Sequence, residues 1–244
     1  MELVYKESFR VSASDVDRFG RLRPSRLLCF AQEVAGTHFN RLHVSLTTRD
    51  QRELFWAITR HRVQITRLPM SGETIRVETW AMPATAAAYP RSVVAYDEKG
   101  KECFRSITLW VIMTLDTRKM LSPSKSGIQV AGITRGLELS SPKGLVPRNM
   151  VNSSPRRVCY TDIDRNGHMN NTRYMEWVDD LFPSAFHREH RLKELLVCYL
   201  AESREGQTLD LRYDVQENAC VQVDAYRQDQ GEDHRVFSAR MQFE

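Results

Sequence analysis

The sequence predicts an α+β fold made of two tandem copies of one unit, a long helix wrapped by an antiparallel sheet. Three observations predict it. A strand-like segment, a turn and an apolar-striped helix open the chain, and the same succession returns after residue 152. The two turns align without a gap, so that Asp15, Asp17, Arg18, Gly20 and Arg26 fall on Asp162, Asp164, Arg165, Gly167 and Arg173. After each helix the pattern becomes period-two alternation broken by short turns, the mark of an antiparallel meander.

Residues 3–13 read as a strand, with Val4, Phe9 and Val11 among polar residues. Asp15 to Arg21 is a turn. Pro24 suits a first helical position, where its missing N–H has no partner to lose. Leu27, Leu28, Ala31, Val34 and Ala35 then share one helical face. His38 and His43 are expected to follow that helix, and residues 48–53 to form a loop with some helix. Residues 55–68 are rich in β-formers, among them Trp56, Ile58, Val63 and Ile65. Strands follow at 74–80, 91–96 and 104–115, with Asp97-Glu98-Lys99-Gly100 as a hairpin turn.

Between residues 121 and 152 the composition shifts to Ser, Pro, Gly and Lys, which reads as a linker. The second copy has a strand at 156–160 and a turn at 162–168. Its helix carries Tyr174, Met175, Val178, Leu181 and Phe182 on one face. Strands at 197–200, 208–215, 220–226 and 236–243 complete it, with Gln230-Gly231 as the last turn. G-E-T-I from Gly72 meets G-Q-T-L from Gly206. A similarity of so long a period means two copies of one fold. A single helix lying across a curved sheet buries one face of each. This is the hotdog arrangement, and two in one chain form an internal pseudo-dimer, a double hotdog. The expected organisation is an N-terminal unit over 1–125, a linker over 126–152 and a C-terminal unit over 153–244.

Composition narrows the class. The apolar fraction is 41% and the net charge +4, ordinary for a packed globular chain. No apolar run approaches the roughly 20 residues of a membrane span, and M-E-L-V-Y-K-E-S lacks a signal peptide's shape. A soluble, cytoplasmic protein is expected. Its five cysteines are odd in number and scattered, without C-x-x-C, which points to reduced thiols. No stripe of Lys/Arg interleaved with aromatics appears, so nucleic acid is not an expected partner. Arg148, Arg156, Arg157, Arg165 and Arg173, then Arg188, Arg191 and Lys193, read as solvated surface. The sharper alternative is a docking face for an acidic partner. No His pair has a ligand spacing with Cys or acid, and no nucleophile elbow, P-loop or dinucleotide fingerprint occurs. Neither a metal nor a cofactor is expected. Cys198 lies in an apolar strand, where buried thiols are usually inert.

The two copies differ where chemistry would sit. The second has Asn166 opposite Phe19, His168 opposite Arg21, and Glu202 opposite Leu68. Both keep the turn carboxylate, Asp17 and Asp164. Taken alone, D-R-N-G-H is a plain turn and helix cap. The first copy makes that turn without Asn or His, so the fold does not require them, and a functional reading of Asn166 and His168 is favoured.

D-I-D-R-N-G-H-M-N-N-T-R-Y-M-E-W-V resembles the signature of the acyl-acyl-carrier-protein (acyl-ACP) thioesterases of plants and bacteria, a D-x-N-x-H-x-N-N run leading into a helix. Y-L-A-E, ending at Glu202, is similar to that family's segment with a catalytic carboxylate. The first half resembles the family in D-V-D-R-F-G-R-L and W-V-I-M-T-L-D-T-R-K. The resemblance implies a double-hotdog hydrolase that cleaves the thioester between a fatty acyl chain and acyl carrier protein. It places catalytic residues at Asp164, Asn166, His168 and Glu202. Plant members often carry a cysteine after the glutamate; Ser203 stands here, which favours general-base hydrolysis over a Cys–His mechanism. The N-terminus lacks the plastid-targeting segment of plant members, which suggests a bacterial-type protein. A monomeric pseudo-dimer or a homodimer is expected.

Such chemistry needs activated water and donors for an oxyanion. Glu202 or Asp164 could take the water's proton, with His168 orienting the carboxylate or sharing the proton and Asn166 positioning water or carbonyl. Substrate-binding N–H groups are expected at Met169, Asn170, Asn171 and Thr172, at the start of the second helix, where the dipole favours negative charge. The acyl chain is expected between helix and sheet of the first copy. Rival readings are a thioesterase for acyl-coenzyme A, a hotdog dehydratase, and a non-catalytic acyl-binding sensor.

Overall fold

Pro24 opens the first helix where its missing N–H is tolerated, and α1 runs over Pro24–Arg41. In the computed structural model, which describes residues 2–42, 44–47, 53–136, 139–216 and 219–244, the expected face of α1 is buried. His38 lies inside this helix, not after it. Its Nδ1 accepts from Arg91 Nη1 at 2.9 Å and its Nε2 faces the Glu2 carbonyl at 2.8 Å. The ring is therefore neutral, and burial holds its pKa below the ordinary histidine value. His43 and most of the expected loop at 48–53 lie outside the described residues.

The strands are β1 (Tyr5–Arg10), β2 (Leu54–Ile65), β3 (Thr74–Ala81), β4 (Tyr89–Tyr96), β5 (Glu102–Thr114), β6 (Met120–Leu121), β7 (Asn152–Arg157), β8 (Leu192–Tyr199), β9 (Thr208–Gln216), β10 (Cys220–Asp229) and β11 (Glu232–Phe243). Tyr160, expected in a strand, falls in a 3-10 turn over Tyr160–Asp162. The strands form one sheet in the order β1-β3-β4-β5-β2-β8-β11-β10-β9-β7, with β6 beside β5. The second five repeat the first five in mirror order. At the centre β2 and β8 pair antiparallel, and Arg62 lies opposite Leu196, its own counterpart in the repeat. The pseudo-dyad passes through that pair. Inward residues of both units, such as Val34, Phe104, Met175 and Phe237, form a single core.

Backbone conformation repeats too. Gly20 and Gly167 have φ of 77° and 78°. Only glycine enters that region without steric cost, and each closes its turn there.

The second helix is shorter than its apolar periodicity implies. α3 covers Arg173–Asp179, and Leu181 and Phe182 lie beyond it. Pro183 lacks an N–H and disfavours a helical conformation at Phe182. The chain restarts in a short helix, α4 (Ser184–Glu189). Phe182 remains buried and stacks on Phe186 with ring centroids 4.7 Å apart.

After the four-residue helix α2 (Pro123–Ser126), the described residues up to β7 form neither helix nor strand. They cross the outer face of the sheet. Ile133 N–H donates to Ala81 O at 2.9 Å, Arg135 pairs with Glu78 at 2.9 Å, and Arg62 Nη1 bonds Ser140 Oγ at 2.5 Å. Further on, the carbonyls of Leu145 and Val146 accept from Arg235 and Gln222, each at 2.9 Å. A segment without a ladder must find partners for its carbonyls, and strand side chains supply them. At Gly132 an added Cβ would stand 2.3 Å from the Met82 backbone. Gly132→Ala is thus expected to cost roughly 1–3 kcal/mol, as an overpacked site does, and urea unfolding would measure it. No helix among the described residues is long and apolar enough to cross a membrane.

Candidate active site

The two turns are built by the same bonds. Asp164 N–H donates to His168 O at 2.9 Å, as Asp17 N–H does to Arg21 O at 2.8 Å. Asp164 Oδ1 accepts the Asn166 N–H at 2.8 Å, as Asp17 Oδ1 accepts that of Phe19 at 2.8 Å. The aspartates are therefore the frame of the turn in both copies. Each turn is also pinned to the strand connection below it: Met169 N–H donates to Ser203 O, and Leu22 N–H to Pro69 O, both at 2.8 Å. This last bond explains the site, because the neighbours of Met169 and Ser203 along the chain are His168 and Glu202.

His168 Nε2 lies 2.8 Å from Glu202 Oε2. Arg118 Nη1 donates to the other carboxylate oxygen at 3.1 Å, and Arg227 Nη1 to the Glu202 carbonyl at 2.8 Å. His168 is half-buried, while Glu202 keeps a solvent-facing edge. Ser203 is fully buried, and its hydroxyl accepts from Tyr174 at 2.8 Å. Burial pushes the Tyr174 phenol up to about 12, so it stays a hydrogen-bond donor.

Of the four expected catalytic residues, the structure thus joins His168 to Glu202. Asp164 and Asn166 form a second pair: Asn166 is exposed, and its amide donates to Asp164 Oδ2 at 3.3 Å. No side-chain hydrogen bond links the two pairs among the described residues.

The expected row of free N–H groups is corrected. Asn170 N–H donates to Asp162 O at 2.8 Å and Thr172 N–H to Asn170 Oδ1 at 2.9 Å. With the Met169 amide already on Ser203, Asn171 is the one of the four whose N–H has no partner among the described residues. The cause is that α3 begins only at Arg173, so residues 169–172 belong to the turn, whose own bonds use their donors.

Arg118 escaped the sequence reading. It stands in T-L-D-T-R-K, on the hairpin between β5 and β6, and reaches Glu202 across 84 positions of chain. Its φ is 53°, and its guanidinium rests 4.9 Å from the Phe55 ring centroid. The N-terminal unit therefore supplies a cation to the glutamate of the C-terminal one. Arg118→Met frees that carboxylate to rotate. Turnover is expected to fall roughly 10- to 100-fold with little change in KM, the size of effect that a small misplacement produces. Steady-state kinetics of the variant would check it.

Two hotdog units on one sheet, with an imidazole–carboxylate pair at one turn and none at the other, define a double-hotdog protein with a single asymmetric site. Residues 2–125 match the acyl-ACP thioesterase N-terminal domain and residues 147–244 the acyl-ACP thioesterase C-terminal domain. The chain belongs to the acyl-ACP thioesterase family. It is 24% identical over 230 residues to oleoyl-acyl carrier protein thioesterase 1, chloroplastic, of Arabidopsis thaliana, covering 85% of this chain and 63% of that protein. It spans less than two thirds of the length of the curated relatives of this kind that it matches. Among solved structures, an acyl-ACP thioesterase from Bacteroides thetaiotaomicron superposes with a TM-score of 0.83 at 25% identity, over 99% of this chain and 98% of that one. The 12:0-ACP thioesterase from Umbellularia californica shares the fold, with a TM-score of 0.82 at 19% identity over 100% and 98% of the two chains.

Proposed function

We propose that this chain hydrolyses the thioester of fatty acyl-ACP, releasing a free fatty acid and the carrier thiol. The carrying observation is the 2.8 Å contact between His168 Nε2 and Glu202 Oε2, present in one turn and replaced in the other by Arg21 and Leu68.

Glu202 is the better candidate for the base. Asp164 performs the same framing task as Asp17 in the copy without the pair, and Asn166 occupies both its oxygens. Glu202 has one oxygen on His168 and the other on Arg118, and its solvent-facing edge leaves room for a water. The carboxylate takes the water's proton as the water oxygen bonds to the thioester carbon. The oxyanion that forms is met by the Asn171 N–H, the uncommitted donor beside the pair. The carbon–sulfur bond then breaks, and the proton passes through His168 to the departing thiolate. Asn166 turns its remaining amide valences toward the substrate carbonyl or the water. Ser203 takes no covalent part, because its hydroxyl is buried beneath Tyr174.

The acyl chain is assigned to the N-terminal unit, and an acidic carrier to the arginine-rich surface of Arg148, Arg156, Arg157, Arg165 and Arg173. Five unpaired thiols are in keeping with a cytoplasmic setting. The test is thiol release from a panel of acyl-ACP substrates with matching acyl-coenzyme A compounds alongside. Faster release from the carrier substrates is the expected result. Release from coenzyme A alone would keep the chemistry and change the partner, and no release from either would end the proposal.

A further inference from the structure

The pseudo-dyad turns the catalytic cleft onto a second one, where Phe19, Arg21 and Leu68 replace the amide, imidazole and carboxylate. That second cleft is not filled in. A cavity of about 600 Å³ opens there between the first turn and the α3–α4 corner. It shares Phe19, Arg21, Leu68 and Leu192 with an adjoining cavity of about 370 Å³. Apolar walls come from Leu68, Phe182, Leu192 and Phe243.

The charges around it do not cancel. Each acid lining the two cavities is already paired or neutral. Asp17 is paired with Arg21 at 2.8 Å, Glu176 with Arg173, Asp180 with Arg156 at 2.9 Å, and Glu244 with Lys193 at 2.7 Å. Asp179, faced by Asp180, Asp17, Glu176 and Arg23, is pushed up to about 8, mainly by burial, and so is largely protonated at neutral pH. Arg18, Arg23, Arg188 and Arg191 have no ion pair among the described residues. Three guanidiniums, those of Arg18, Arg21 and Arg188, lie within 6.0 Å of the Phe19 ring centroid. An apolar trough with surplus guanidiniums at its mouth has the polarity of an amphipathic anion.

We infer that this cleft binds a long-chain carboxylate, head on Arg188 and Arg191 and chain along Leu68 and Leu192, at a site that cannot hydrolyse. Naming the ligand as the enzyme's own class of product rests on the proposed thioesterase reading; the anion site itself does not. Binding there would let released acid report on the enzyme without entering the catalytic cleft.

The experiment titrates 1-13C-dodecanoate into the full chain and follows the carboxyl resonance by NMR. Arg188→Glu/Arg191→Glu alters two exposed side chains and is expected to weaken the site at least tenfold with an unchanged melting temperature. The His168→Ala/Glu202→Gln variant should retain it, and unlabelled dodecanol should displace the labelled acid at least tenfold less effectively than unlabelled dodecanoate does. Wild-type affinity in the charge-reversed protein would overturn the inference. So would loss of all carboxylate binding in the His168→Ala/Glu202→Gln protein. A wild-type chain that binds dodecanoate in this way but releases no thiol would leave the site standing and remove the thioesterase reading.

Discussion

Replacing His168 by alanine is expected to lower kcat for the proposed acyl-ACP hydrolysis by roughly 10²- to 10⁴-fold, the usual worth of a positioned acid–base group. Glu202→Gln should do the same. The two side chains touch at 2.8 Å, and in the proposed mechanism they serve one proton path. The double variant is therefore expected to be scarcely slower than either single one, because groups that act as a unit are not additive. Folding should survive. The first copy closes the same turn around Arg21, with the same backbone bond from its aspartate, so the imidazole is not needed for the turn. Single-turnover thiol release with a melting curve on the same samples makes the comparison. A His168→Ala protein with wild-type turnover would remove the pair from the mechanism.

The second large effect concerns stability in acid. His61 sits in β2 beside the pseudo-dyad, paired with Val197 across the unit boundary. It is buried, and its Nε2 has no hydrogen-bond partner among the described residues. Its counterpart in the second copy is Leu195, wholly buried in the core. Burial depresses the ring to about 3, so the folded protein keeps His61 neutral while the unfolded chain protonates it near pH 6.5. Its share of stability is therefore complete above about pH 6.5 and falls as pH drops toward 3. The slope is at most about 1.4 kcal/mol per pH unit for one proton. His61→Leu removes the titrating group and puts the second copy's residue in its place. The variant should gain about 1 kcal/mol over wild type at pH 7 from losing an orphaned polar atom, and up to about 3 kcal/mol more at pH 4 from losing the titration. Urea unfolding across pH 4–7 reads both. An acid limb parallel to that of wild type would show that His61 does not titrate as its burial requires.

Much of the site was legible because the chain contains its own control. Comparing Arg21 with His168, and Leu68 with Glu202, identifies a pair that neither turn reveals alone, and the repeat's register brings its members within hydrogen-bonding distance. What stayed hidden depends on long-range contacts that no local pattern encodes. Arg118 crosses from one unit to the other. The carbonyls of Asp162 and Ser203 claim amides that a helix start would otherwise leave free. The apolar stripe through Phe182 reads as helix, yet Pro183 ends α3 early while Phe182 still finds its place in the core. Residues 126–152 have a linker's composition, but what holds their described part across the sheet is side chains dispersed over strands of both units.

The β2–β8 seam has a further consequence. A sheet that runs through both units has no inner border, since each half covers the strand the other would otherwise expose. Separated, each half would present a long strand with open N–H and C=O groups and the inward-facing Val63 or Val197 beside it. Such a border recruits any strand that fits, including a second copy of itself. Tandem fusion of the two halves thus serves as protection against misassociation: the right neighbour is always within reach, on the same chain.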